Sequence, residues 1–191
     1  MEVKKISDNV WKFTGTDRVN CYFIDLDSEK MMIDTGNRAD FQELQLLIRN
    51  LTDPGAVSSV IFTHLHYDHT GNFDLFPNAE FYASDKEIKD YEISREDAVL
   101  DREIAGKLNV ELRPLPEKIG PLEVISAPGH TAGSVCIFYT EKKILFTGDT
   151  LFPNKQLGRT DLPTSAPGEL NNTLIMLLDY DFKILAPGHD Y

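Results

Sequence analysis

Short apolar runs of strand length recur along the chain. They are Val10–Phe13, Cys21–Leu26, Met31–Ile33, Val60–Phe62, Glu80–Ala83, Val110–Leu112, Leu122–Ile125, Val135–Tyr139, Ile144–Phe146 and Ile184–Ala186. Gly, Pro, Asp or Asn bounds them, as expected of strands closed by turns. A helical period appears in two places. Phe41, Leu44, Leu47 and Leu51 form one stripe, with Asp40 and Glu43 spaced as a capping box at its start. Leu170, Leu174, Leu177 and Leu178 form the second, with Pro167 near the first turn. The polar stretch 84–107 is also read as helix. Many strands, with helices interspersed and near both ends, predict an α/β sandwich: two sheets covered by helices. Pattern alone does not separate this from other mixed α/β folds.

Composition narrows the class. At 191 residues the chain has the length of one domain, 1–191, large enough to bury a core. Apolar residues make up 41% and charged residues 26%, ordinary globular usage. No apolar run is long enough for a transmembrane helix. Met1-Glu2-Val3-Lys4-Lys5 leads into polar sequence and not into a signal peptide, so a cytoplasmic protein off the membrane is expected. Nineteen Lys and Arg against 31 Asp and Glu give a formal charge of −12. Such a surface attracts metal cations and repels polyanions, and it lacks the basic footprint of a nucleic-acid binder. Cys21 and Cys136 lie in apolar runs outside any Cys-x-x-Cys spacing, and are expected to be buried, reduced thiols.

The histidines carry the chemistry. Three of the five fall within Thr63-His64-Leu65-His66-Tyr67-Asp68-His69, and the others are His130 and His189. Core packing has no use for that density, whereas neutral imidazole and carboxylate are preferred ligands of zinc and similar metals. Position adds to this. Asp34, His64, His130, Asp149 and His189 each follow an apolar run, where a scaffold presents functional side chains on loops. Gly129, Gly148 and Gly188 each precede a proposed ligand and are expected to allow tight turns. The tetrapeptide Ala-Pro-Gly-His occurs at 127–130 and again at 186–189, as two equivalent strand-end loops would produce.

The spacing His64-x-His66-x-Asp68-His69, followed by His130, Asp149 and His189 and preceded by Asp34-Thr35-Gly36, resembles the metal signature of the metallo-β-lactamase superfamily. Within it the chain looks most like glyoxalase II (hydroxyacylglutathione hydrolase) and its single-domain relatives. The carrying segments are Thr63–Asn72, Pro128–Ser134, Gly148-Asp149-Thr150-Leu151-Phe152, Gly158-Arg159-Thr160-Asp161 and Pro187–Tyr191. The resemblance implies an αββα sandwich of two mixed sheets flanked by helices. It implies one metal on His64, His66 and His130, a second on Asp68, His69 and His189, and Asp149 bridging them. Asp34 would orient the ligand loops. The metals would be zinc, with iron or manganese as alternatives.

The implied reaction is hydrolysis of a small, anionic thioester by a metal-bridging hydroxide, with Asp68 able to take its proton. A thiolate leaves readily, so no further histidine is required. Arg159 and Lys155 are candidate anchors for the substrate's charge, and Tyr67 for the pocket wall. Asp149 stands where zinc β-lactamases typically carry cysteine, which argues against β-lactams. Glyoxalase II also has a C-terminal helical domain that helps bind glutathione. The sequence ends at Tyr191, so weak glutathione selectivity is expected.

An alternative on the same fold is a persulfide dioxygenase with one iron on His64, His130 and Asp149. Gly188-His189-Asp190-Tyr191 resembles that group too. A phosphodiesterase or nuclease fits the motif but not the charge. A flavodiiron oxygen reductase would carry a carboxylate at His66, and a non-catalytic zinc module would have one closed site.

Overall fold

A computed structural model of the chain describes residues 1–190. Tyr191, the last residue of the Pro187–Tyr191 segment, lies outside them. The described residues form two mixed sheets with helices on the outer faces, the αββα arrangement. The first sheet holds β1 (Glu2–Ser7), β2 (Val10–Thr14), β3 (Asn20–Asp25), β4 (Lys30–Ile33), β5 (Ser59–Ile61), β6 (Glu80–Ala83) and β7 (Leu112–Pro114), in that order. β1 to β4 pair antiparallel, and β4 to β7 pair parallel. The second sheet runs in the order β12 (Ile184–Pro187), β11 (Ile144–Gly148), β10 (Val135–Tyr139), β9 (Leu122–Ser126) and β8 (Lys118–Ile119).

Alternation along the strands assigns each side chain to a layer. In β3, Tyr22 and Ile24 point between the sheets, with Ile33, Ile61, Ile137, Ile144 and Phe146. Cys21 and Phe23 point the other way, into a cluster with Leu44, Ile48, Val60 and Phe62. All five residues of β10, Val-Cys-Ile-Phe-Tyr, are buried because both faces are covered. Its Cys136 and Phe138 pack with Ile125, Leu145 and Leu177 beneath the last helix.

Helices α1 (Phe41–Arg49), α2 (Tyr67–Thr70), α3 (Asp85–Ile93), α4 (Arg95–Val99) and α5 (Arg102–Lys107) precede β7, and α6 (Leu170–Leu177) precedes β12. Ser84, Ser94 and Asp101 cap α3, α4 and α5 by accepting from the third residue on. Several expectations need correction. The capping box at α1 is not formed. Asp40 instead accepts from the Thr16 N–H and hydroxyl at 2.8 and 2.9 Å, and Glu43 holds the Met1 ammonium. Leu178 is 82% exposed, and the buried face of α6 is made by Thr173 and Leu177. Pro167 lies three residues ahead of α6. The strand expected at Val110–Leu112 begins only at Leu112. Strands β1 and β8 were not legible, because both lie at sheet edges and are largely polar or short.

Strand direction sets up the site. β9 and β11 both run antiparallel to β10, and β12 runs parallel to β11. The carboxyl ends of all three therefore reach one rim of the second sheet. β4 and β5 are parallel in the first sheet, so their carboxyl ends also share a rim. Val135 N–H donates to Thr63 O at 2.9 Å and Asn20 N–H to Gly188 O at 2.7 Å, which joins the two rims.

No helix among the described residues is long and apolar enough to cross a membrane. Both cysteines are buried free thiols, on different layers. Burial pushes the Cys136 thiol up to about 12 and raises Cys21 well above its ordinary value. A chromogenic disulfide reagent at neutral pH is expected to find no fast-reacting thiol in the native protein and both in denaturant. A rapidly titrating thiol in folded protein would contradict this packing.

Candidate metal centre

Each donor arrives on a loop at the joined rims. β5 runs out through Phe62 and Thr63 to His64. His66 stands at the N-cap position of α2 without a side-chain capping bond, and the single turn of that helix carries Asp68 and His69. His130 follows β9, Asp149 follows β11 and His189 follows β12. The two Ala-Pro-Gly-His segments are thus strand-end loops of co-directional strands. Of the three glycines, Gly148 has a left-handed backbone (φ +47°), as a tight turn requires. Gly188 serves close approach instead. A Cβ there would lie 2.2 Å from Asp149 Oδ1 and 2.7 Å from His69 Cε1.

The seven side chains gather into three overlapping groups of donor atoms: His64, His66 and His130; Asp68, His69 and His189; and His64, His69 and Asp149. Within each group the atoms lie within 4.8 Å of one another. Asp149 faces both halves of the cluster, 3.3 Å from His69 Nε2, 3.4 Å from His189 Nε2 and 3.6 Å from His130 Nε2.

Four rings are held by the nitrogen that faces away from the centre. His64 Nδ1 lies 3.1 Å from Thr63 Oγ1, and His69 Nδ1 lies 2.9 Å from Asp34 Oδ2. His130 Nδ1 meets Arg159 O at 2.8 Å, and His189 Nδ1 meets Asp17 O at 3.2 Å. Oxygens in these places accept from Nδ1–H and leave Nε2 turned toward the centre, the arrangement that orients metal-binding histidines. Asp34 does more than hold His69. It accepts from Thr63 N–H at 2.8 Å and from the Thr63 hydroxyl at 2.9 Å. Its own backbone is left-handed, φ 57°, an unfavourable state that these hydrogen bonds hold in place.

Crowding divides the electrostatics. Burial, then the neighbouring imidazoles, pushes His64 well below its ordinary value and His66 down to about 3, and burial lowers His130 against the opposing pull of Asp149 and the Arg159 carbonyl. Burial also pushes His69 and His189 down, but the carboxylates outweigh it. Asp149, Asp34 and Asp68 hold His69 well above its usual value, and Asp149 and Asp68 lift His189 to about 9. Burial raises Asp149 and Asp68, yet His69 and His189 prevail and keep both ionised. His64 Nε2, His66 Nε2, His69 Nε2 and Asp149 Oδ1 remain buried without a hydrogen-bond partner. Buried polar atoms left in this state are rare, and metal ions would satisfy them. The donor set therefore fits a metal pair.

A cavity of about 410 Å³ opens on His130 and Asp149 and is lined by Phe152, Gln156, Leu157, Gly158 and Arg159. The anchors expected from sequence sort differently here. Arg159 lines the cavity, but its guanidinium is paired with Asp161 by two bonds of 2.9 and 3.0 Å. Lys155 is exposed in the turn Pro153–Lys155 and does not line the cavity. Tyr67 packs against the core cluster beneath α1 and α3 and not on the cavity wall.

Sequence reasoning missed four supporting residues. Asn20 and Tyr22 of β3 both donate to Pro187 O, at 3.0 and 2.7 Å, and Asn20 also donates to Asp190. Thr63 couples Asp34 to His64. Glu87, on α3, reaches into the ligand loops. Only Thr63, beside the first histidine, carried a positional signal.

A sequence model of the Metallo-beta-lactamase superfamily matches residues 14–189. A probable metallo-hydrolase of Methanocaldococcus jannaschii is 32% identical over 186 residues, covering 89% of this chain and 86% of its own length. An atrochrysone carboxyl ACP thioesterase of Aspergillus fumigatus is 26% identical over 89% of the chain. A hydroxyacylglutathione hydrolase of Bartonella quintana is 30% identical over 71% of it. The chain spans about half the length of these last two. A crystal structure of a protein in a di-iron-bound form superposes with a TM-score of 0.77 and 27% identity, over 94% of this chain and 92% of the other. With the αββα layers and a match over residues 14–189, the chain belongs to the metallo-beta-lactamase superfamily.

Proposed function

We propose that the protein is a binuclear-metal hydrolase of small thioesters. The observation that carries this reading is the pair of three-donor groups with Asp149 within 3.6 Å of His130 in one and 3.3 Å of His69 in the other, beside an open, partly apolar cavity. His64, His66 and His130 would hold one ion and Asp68, His69 and His189 the other, with Asp149 shared. When bound, such a pair supplies Lewis acidity, activating water and polarising an acyl carbonyl near neutral pH. Zinc suits this donor set. The di-iron relative favours iron as the alternative, and manganese is a further one.

The chain's own residues divide the remaining work. Asp34, Thr63 and the carbonyls of Arg159 and Asp17 fix the rings. Asp68, whose Oδ2 lies 3.3 Å from His189 Nε2 at the cluster, would accept a proton from the attacking water. Phe152 and Leu157 offer an acyl chain an apolar wall, and Gln156 adds a polar group. All five histidines belong to the donor groups, so none remains to protonate a departing group. A thiolate needs no such acid. The thioesterase and the hydroxyacylglutathione hydrolase among the relatives favour the same substrate class.

Arg159 is the one cation lining the cavity among the described residues, and it already holds Asp161. Exposed ion pairs of this kind are weak, so a substrate carboxylate can displace Asp161. One cation serves a small anionic thioester but not both carboxylates of glutathione, so glutathione selectivity is weak. The buried thiols suit a reducing cytoplasm.

Elemental analysis of protein purified without added metal should give two ions per chain. Asp149→Ala should abolish turnover and lower metal content, while Cys136→Ala in a folded protein leaves turnover near that of the wild type. One ion at saturation, with Asp68, His69 and His189 free of it, would instead favour the persulfide dioxygenase.

Substrate choice is tested by comparing S-lactoylglutathione with shorter thioesters of the same acyl group. Turnover of both within about tenfold is expected, and Arg159→Ala should chiefly raise KM for a carboxylate-bearing thioester. Because the His130 contact is made by the Arg159 carbonyl, kcat should change little. Failure to turn over any thioester with zinc, manganese or iron, alongside oxygen uptake with a persulfide, would overturn the assignment.

A further inference from the structure

The loop carrying His64 and His66 comes from the first sheet, and the loop carrying His130 from the second. One buried side chain joins them from behind. Glu87, in the first turn of α3, is 1% exposed. Its Oε2 accepts from the Leu65 N–H at 2.9 Å, and its Oε1 accepts from the Thr131 hydroxyl at 2.6 Å. Leu65 stands between His64 and His66, and Thr131 directly follows His130. The Ser134 hydroxyl accepts from the Thr131 N–H at 3.1 Å and lies 2.7 Å from Thr131 Oγ1, so the second loop is tied to itself as well.

The helix is seated to suit. Ser84 donates to Gly133 O at 2.6 Å. A Cβ on Gly133 would lie 2.6 Å from Glu87 N and 2.7 Å from Glu87 Cγ, so only glycine allows this approach. In sequence Ser84-Asp85-Lys86-Glu87 reads as a capping box, whose Glu would turn back to Ser84. Ser84 does accept from the Glu87 N–H, at 3.2 Å, but the carboxylate turns inward. No Lys, Arg or His among the described residues forms an ion pair with it, and burial raises its pKa to about 7 against the pull of Thr131 and Leu65. A buried acid without a cation is costly, and neither capping nor space-filling calls for one.

We propose that Glu87 is a positioning residue for the three-histidine group: it fastens the His64–His66 loop to the His130 loop and so sets the spacing of the three imidazoles. The proposal rests on the assignment of those histidines as ligands. Such supports, one bond removed from the ligands, govern affinity by holding rings in the binding geometry.

The test is titration of chelator-stripped protein with cobalt(II), followed by its visible absorption, which reads the two sites without turnover. Glu87→Ala and Glu87→Asp, which deletes or shortens the bridge, should weaken one of the two ions by about 10–100-fold while leaving the other near its wild-type affinity. Glu87→Gln should restore binding to within about threefold, because its amide oxygen can accept from Leu65 while its NH₂ donates to Thr131 Oγ1. If Glu87→Ala does not fold, Glu87→Asp and Thr131→Val carry the test, and both should weaken the same ion. Unchanged affinities in folded Glu87→Asp would overturn the proposal. So would equal loss of both ions, the mark of general destabilisation, or a Gln variant as weak as the Asp one. A wild-type protein that takes up no cobalt would overturn the ligand assignment itself.

Discussion

Seven polar side chains meet at the joined rims with their donor atoms turned toward one another. Protein alone does not satisfy that arrangement. His64, His66 and His69 each keep a buried nitrogen without a hydrogen-bond partner, and Asp149 keeps an oxygen. Desolvation without partners is unfavourable, and the surrounding structure must hold the rings against it. Much of the polar architecture follows from that need. Asp34 accepts the unfavourable left-handed backbone that lets one carboxylate hold Thr63 and His69 together. Carbonyls of Asp17 and Arg159 are aimed at ring nitrogens, and Thr35 and Asn72 tie the turn after Asp34 to the carbonyl of His69 and to one another.

Both sheets contribute to this, and neither could build the centre alone. The first sheet supplies Asp34 and the loop from His64 to His69. The second supplies His130, Asp149 and His189 from three co-directional strands. The apolar layer between them, with Tyr22, Ile33, Ile61, Ile137 and Phe146, sets the distance between the rims. Tyr22 takes part in both tasks. Its ring packs edge-on against Phe146 at 5.0 Å, and its hydroxyl donates to Pro187 O two residues before His189. Packing and chemistry thus meet in one side chain.

The sequence was informative where physics acts locally. Strands with buried faces, such as Glu80–Ala83 and Val135–Tyr139, were legible to the residue, because burial on one or both sides leaves a strong apolar pattern. The donors were legible too, because three His and one Asp within six positions have no packing use. What could not be read depended on partners far along the chain. Asp40 looks like a helix cap, but Thr16 claims its carboxylate. Glu87 also has the spacing of a cap, and nothing nearby in sequence says that it turns toward Leu65 and Thr131. Arg159 has the character of an anchor, yet its backbone carbonyl makes the contact with His130.

The seating of His189 has a consequence for how the molecule is assembled. Its loop is held by Asp17, Arg18, Asn20 and Tyr22, about 170 positions away along the chain. Contacts of such separation carry a larger loop-closure cost than local ones and raise the contact order of the fold. The three-histidine group can close once β9 has docked, whereas the Asp68–His69–His189 group must wait for β12 to find the first hairpin. The second half of the centre is therefore a checkpoint on topology: it exists only where the segment 17–22 and the loop after β12 have met. An ion held there would act as a clasp, opposing the release of the final strand and tying the protein's lifetime to its metal supply.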